Sequence, residues 1–208
     1  MSKLTKFLLG IMAVGLVVGF IGISDAIKLW KGDINDVEDI SVGDLEAGDM
    51  YEGEIIDAYD IIAEETTTQT YGFVPVNKSV TPYYFVELDN CYVVIDVTSE
   101  KQKEAFEKLM DQTWDYLDEK TDEKPDPVEI STTAIKMPDK VKEFLKDYCD
   151  ESGMSSEEYA KFVEDTCCLK TIAYKNTKMA PLIGFGVAIL CIIILIIRKA
   201  MSPKIVNL

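Results

Sequence analysis

The chain has 208 residues, 37 of them acidic and 21 basic, for a net charge of −16 with no histidine, and is long enough for one ordinary domain or two small ones. The missing imidazole excludes Ser-His-Asp and Cys-His catalysis and removes the commonest general base and metal ligand. The sign of the charge excludes nucleic acid as a partner, because phosphates are repelled.

The apolar residues concentrate at the two ends. Phe7 to Ile23 runs 17 residues without a charge, and Met179 to Ile197 runs 19. At 1.5 Å rise per residue each crosses, or nearly crosses, about 30 Å of hydrocarbon, so both read as transmembrane helices in contact with a lipid bilayer. For the first, Lys3 and Lys6 with the small residues Ser24 to Ala26 leave a cleaved signal peptide as the alternative. The run is longer than a usual signal core, which favours a retained anchor. The second ends in Arg198, Lys199 and Lys204, a basic stop, and Pro181 is placed in its first turn. Short basic flanks put both termini in the cytoplasm and the middle outside the cell membrane. Between Asp25 and Lys178 lie all 37 acids and 16 of the bases, leaving −21 on the exterior part.

In the exterior part, "KGDINDVEDISVGDLEAGD" reads as an acidic connector. "YEGEIIDAYDIIAEE" follows, then the β-rich "TTTQTYGFVPV"; together they predict a long strand, irregular near Ile55 and Ile56, with isoleucines toward helices and carboxylates toward water. In "YYFVELDNCYVVIDV", Tyr83 to Leu88 and Cys91 to Val97 flank Asp89 and Asn90, which predicts a hairpin whose second strand is covered on both faces. Ser99 and Gln102 cap a helix carrying Phe106, Leu109, Met110, Thr113 and Leu117 at helical spacing. The proline pair of "TDEKPDP" ends it, and Val128, Ile130 and Thr132 alternate as a further strand. Pro138 and Asp139 open a second helix with Val141, Phe144, Leu145 and Tyr148 on its apolar face. Ser155 and Glu158 cap a third, with Tyr159, Phe162 and Val163. "CLKTIAY" suits one more strand.

These elements predict an α+β fold: a small, mainly antiparallel sheet packed with three helices, flanked by one transmembrane helix at each end. The expected divisions are 1–27 for the first tip and span, 28–178 for the exterior domain, and 179–208 for the second span and tail.

The order resembles an uncharacterised family of bacterial two-span membrane proteins with an extracytoplasmic α+β domain. The resemblance is carried by "VGDLEAGDMYEGEIIDAYDIIAEE", "TPYYFVELDNCYVVIDV" and "VEISTTAIKMPDKVKEFLKDY". It implies the layout and no site, since no activity is assigned to that family.

The search for chemistry yields little. No phosphate-binding glycine run is present in the exterior part. A carboxylate pair of the kind that hydrolyses glycosides could come from Glu52, Glu54, Asp57, Glu64 and Glu65, but acids alternating with apolar residues are more often the wet side of a strand. Counted from Asp33, the sixth position of the acidic loop is Glu38 where a calcium loop wants glycine, so no metal is expected there, and no cofactor elsewhere. Cys91, Cys149, Cys167 and Cys168 fit no zinc or redox spacing; buried free thiols are favoured over bridges. Gly15, Gly19 and Gly22 share one face of the first span, and Gly184 with Ala188 forms a small-xxx-small pair in the second, which permits close packing of the two spans within one chain. No ionisable side chain lies inside either apolar core, which speaks against a proton path through this chain alone. The leading expectation is a non-catalytic binding or scaffolding module on the outer face. The alternatives are an accessory subunit of a transport or secretion complex, joined to another membrane or envelope protein, and a carboxylate hydrolase.

Overall fold

The computed structural model describes residues 3–71 and 74–201. Gly72 and Phe73, inside the β-rich run, and Lys204, in the basic stop, lie outside the described residues. The chain divides into two compact units, Met1–Asp33 with Ala173–Leu208, and Ile34–Ile172.

The first unit is helical: α1 (Lys3–Ile21), α2 (Ile23–Lys31) and α6 (Tyr174–Met201). By length and composition α1 and α6 are each able to cross a membrane. The helix α2 was not expected. It starts at Gly22, buries Ala26 and Leu29, and closes at Gly32, whose left-handed φ of 72° lets its N–H reach the Lys28 carbonyl. Asp25 in its first turn and Lys28 and Lys31 in its last oppose the helix dipole. Pro181 is not in the first turn of its helix. The polar residues 174–178 add a further turn, so the proline lies inside α6, where its ring removes one backbone hydrogen bond.

The second unit contains seven strands and three helices: β1 (Asn35–Asp36), β2 (Met50–Ile55), β3 (Asp57–Tyr71), β4 (Val74–Glu87), β5 (Tyr92–Asp96), α3 (Glu100–Leu117), β6 (Val128–Lys136), α4 (Asp139–Glu151), α5 (Ser156–Phe162) and β7 (Cys167–Thr171). The class is α+β, but the sheet is not small and mainly antiparallel. It is a seven-stranded mixed sheet of order β1-β2-β6-β7-β5-β4-β3. Two parallel contacts, β1 with β2 and β5 with β7, make it so. The α4–α5 pair links β6 to its antiparallel neighbour β7, which inserts between β6 and β5 and runs parallel to β5. With α2, the described residues hold six helices, one more than expected.

The expected long strand is two strands with different partners. β2 pairs with β6 and β3 with β4, and only Ile56 stands between them. A flat sheet would hold β2 and β3 about 24 Å apart across five strand spacings. Two Cα steps span at most about 7.6 Å, so the sheet must curl until its margins meet at Ile56.

Each strand alternates, and both faces are covered. On one face Tyr84, Val86, Val93, Ile95, Ile130 and Leu169 pack under Phe106 and Leu109 of α3. The acidic connector joins this core, burying Val37, Ile40 and Leu45. Gly53 permits that: a Cβ there would lie 2.5 Å from Val37 Cγ2. On the other face Tyr83, Phe85, Val94 and Cys168 meet Val141, Leu145 and Cys149 of α4. Of the opening isoleucines, Ile55 is fully buried and Ile61 packs on the first core. Ile62, the next residue, faces the second core, a register shift between Ile61 and Ala63 lets Ala63 join it there, and Ile56 is exposed. Glu52, Glu54, Asp60, Glu64 and Glu65 face water.

The predicted hairpin at Asp89 and Asn90 is present, closed by Leu88 N–H to the Cys91 carbonyl at 2.8 Å. β5 is covered on both faces, with Val93, Val94 and Ile95 fully buried. Ser99 caps α3 through Gln102 N–H, and Ser155 and Glu158 form a reciprocal capping box on α5. Three residues placed on apolar faces, Leu117, Phe144 and Phe162, are instead exposed.

Candidate functional site

The second unit concentrates its polar oddities at the start of the β3–β4 ladder. Asp57 stands directly opposite Glu87, so two acids occupy one cross-strand pair, an arrangement that repels itself. They border a cleft of about 230 Å³ that also takes in Glu38, Glu54 and Asp89. Glu87 accepts a hydrogen bond from the Tyr59 hydroxyl, and the Tyr92 hydroxyl also bonds to it. Asp57 is hydrogen-bonded to the Thr113 side chain. Burial, then the charge of Glu87, hold the Asp57 carboxyl above the usual carboxylate range, against the pull of Lys124 and Thr113. Burial and Glu87 likewise push the Tyr59 phenol up.

Helix α3 reinforces this corner. Thr113 Oγ1 accepts from Ala58 N–H at 3.3 Å, and Trp114 Nε1 donates to the Tyr59 carbonyl at 2.7 Å, so two backbone groups of β3 are satisfied by side chains. Chemically, two facing carboxyls in different surroundings, one beside a threonine hydroxyl and the other beside two phenols, are the kind of pair used in glycoside hydrolysis. The cleft is smaller than the roughly 300 Å³ at which ligand pockets begin, which favours a tense structural corner over a substrate site. Of the five acids expected to supply a carboxylate pair, Glu54 and Asp57 line this cleft, while Glu64 and Glu65 line another, larger one beside α4. Glu52 lines neither of these two. The partner of Asp57, Glu87, was missed because it is 30 residues away in sequence and no local pattern ties the two.

The larger cleft, of about 410 Å³, is bordered by Glu65, Tyr83, Asp139 and Phe144. Tyr83 Oη donates to Glu65 Oε2 at 3.3 Å. Opposite Tyr83 in the ladder is Asp96, only 2% exposed and paired with Lys170 Nζ at 3.2 Å. Its other oxygen, Oδ1, has no hydrogen-bond partner among the described residues. Burial raises the Asp96 pKa, Lys170 lowers it, and Glu65 raises it again. Glu164, 1% exposed, is by contrast well satisfied, accepting from the N–H groups of Gly43 at 2.5 Å, Thr166 at 2.8 Å and Cys167 at 3.1 Å, and from the Thr166 hydroxyl. It pins the connector to the sheet.

Cys91, Cys149, Cys167 and Cys168 are buried free thiols. Burial pushes Cys91 and Cys149 up to about 11 and Cys168 to about 12, so none is a ready nucleophile. Among the described residues no group of three or more Cys, Asp or Glu is arranged to hold a metal ion.

In the helical unit α1 and α6 run antiparallel, with Arg198 Nη1 donating to Thr5 Oγ1 at 3.1 Å near one end. The structure brings Gly15, Gly19, Gly184 and Ala188 together along one seam. A Cβ on Gly15 would lie 2.7 Å from the Gly184 carbonyl oxygen and 3.3 Å from Ala188 N; one on Gly184 would lie 2.6 Å from the Gly15 oxygen. Gly19 lies under the Phe185 ring, and Gly22 faces Pro181 at 3.5 Å. Gly10 and Gly186 would meet nothing within 4 Å.

No curated protein matches the chain. The model of the Domain of unknown function (DUF8577) family matches residues 1–199, nearly the whole length, and the chain belongs to that family.

Proposed function

We propose that the protein is a membrane-anchored extracytoplasmic binding or scaffolding module without catalysis of its own, in the cell membrane with both termini cytoplasmic. The observation that carries the reading is the seam of Gly15, Gly19, Gly184 and Ala188. Two apolar helices from opposite ends of the chain meet backbone to backbone, the close approach that small residues permit between helices in lipid, where packing and not the hydrophobic effect holds them together. A folded unit of 35 acids and 12 bases lies between them in sequence, and a charge of −23 suits a soluble module beside a membrane. Basic flanks at Lys3, Lys6, Arg198 and Lys199 support the orientation. The same seam is compatible with an accessory subunit of a transport or secretion complex.

Protease added to intact cells tests the placement. Digestion of residues 34–172 without lysis is expected, and protection of that segment until lysis refutes the orientation. A complex of constant composition surviving mild detergent would favour the accessory-subunit reading.

The facing acids Asp57 and Glu87 support a second reading, a carboxylate hydrolase of the envelope. It requires that the full chain release sugar from envelope polysaccharide and that Asp57→Asn abolish the release. No release from any fraction removes it.

A further inference from the structure

We propose that the free edge of the β3–β4 ribbon is a self-association surface, where β3 of one copy pairs antiparallel with β3 of a second. The inference rests on the scaffolding reading above and names its partner as another copy of this chain.

The ribbon outgrows the sheet. β4 contacts β5 only from Tyr83 to Glu87, and Tyr83 faces Ala63 on β3, so Glu64–Tyr71 pairs with Val74–Pro82 alone. Eight strand residues extend about 27 Å beyond the last shared rung. Its two edges differ. On β4 the edge is blunted: Pro75 and Pro82 carry no N–H, the Pro82 carbonyl accepts from Val97 N–H, and the Val80 carbonyl accepts from Lys103 Nζ. On β3 the edge is guarded only at its start, where Thr113 and Trp114 of α3 take Ala58 N–H and the Tyr59 carbonyl. From Ala63 to Gln69 the ladder is regular, and among the described residues β3 pairs with β4 alone. Thr66, Thr67, Thr68, Gln69 and Thr70 hold no proline and no charge, two of the usual devices against edge pairing, and the register shift between Gln69 and Thr70 breaks the ladder only at its far end.

Charge selects the occupant. From Thr66 to Val86 there is no acid, in a unit that carries 35. Two copies of a body at −23 repel wherever their surfaces meet. The screening length is about 8 Å at physiological salt, so bodies held apart by a ribbon of about 27 Å are more than three lengths away and largely screened. Antiparallel pairing of identical strands closes on a two-fold axis, so two copies satisfy each other's edge and the assembly stops at a dimer. In sequence the edge is a run of threonines interrupted by one glutamine, a composition that suits backbone pairing with a like strand better than selection of a foreign peptide through alternating pockets.

Disulfide trapping of the full chain in native membranes tests this. Thr66→Cys and Thr67→Cys are made singly, both at exposed positions, with Ser79→Cys on β4 as the off-edge control; the buried native thiols do not compete. With a mild copper oxidant, at least one β3 variant is expected to form the covalent dimer tenfold or more faster than Ser79→Cys. Adding Thr68→Pro to that variant should lower the rate at least tenfold while the melting temperature of the body stays unchanged. Equal rates at both edges, or an adduct with a different protein in place of the dimer, overturn the proposal. Protease accessibility measured on the same membranes keeps the two readings apart. An exposed, anchored chain that does not cross-link refutes the pairing alone, and a chain absent from the membrane refutes the anchoring.

Discussion

Asp57 and Glu87 face each other across the first rung of the β3–β4 ladder, with two tyrosines, Tyr59 and Tyr92, hydrogen-bonded to the glutamate. Like charges so placed cost stability.

Replacing Asp57 with Asn should therefore stabilise the unit Ile34–Ile172, by about 0.5 kcal/mol at neutral pH. The pH dependence fixes the sign. Asp57 has a raised carboxyl pKa in the folded state, so the folded protein holds its proton better than the unfolded chain does. That contribution is fully present below the unfolded value of about 3.9 and is lost as pH rises through the folded one. Urea midpoints measured from pH 3.5 to 7 should show a gain for Asp57→Asn that grows with pH.

Glu164→Ala removes the acceptor shared by Gly43, Thr166 and Cys167 and leaves three backbone N–H groups seeking partners. A loss of about 3 kcal/mol or more is expected, with faster proteolysis in the connector that Gly43 belongs to. Limited proteolysis beside a denaturation curve checks both.

Gly184→Ile and Gly186→Ile lie two positions apart in α6 and should behave oppositely. The first drives a side chain into the Gly15 carbonyl; the second points into open space. Melting of the full chain in mild detergent should fall for the first by the equivalent of roughly 1–3 kcal/mol and stay put for the second.

The four thiols of the sheet-containing unit should resist maleimide in the native protein, even at pH 9, because burial suppresses both access and ionisation. Denaturant should expose them together, and mass spectrometry counts the adducts.

What the sequence made legible was local. Asp89-Asn90 between two β-rich runs, the caps at Ser99 and Ser155, and the apolar run of β5 each depend on residues a few positions apart. What it hid was long-range. Nothing in "EGEIIDAYD" says that the strand before Ile56 belongs to β6 and the strand after it to β4, because a period of two is the same on either partner. The insertion of β7 between β5 and β6 left no mark on "CCLKT". The buried acceptor role of Glu164 likewise depends on Gly43, 121 residues earlier. The glycines at 15, 19 and 184 were singled out from spacing, since a helix face is read three or four residues at a time. The pairing of Gly15 with Gly184 in particular required both helices in place.

Joining both margins of the sheet through Ile56 also sets an order of events at the ribosome. Met50 waits for Thr133, about eighty residues downstream. At ~5–20 residues per second that is roughly 4 to 16 s during which the nascent strand has been made but its mate has not. Its neighbour β3 needs only the next strand and can zip at once. Through that interval Glu52 and Glu54 leave two charges on the unpaired segment, and charges on an open strand disfavour pairing with another.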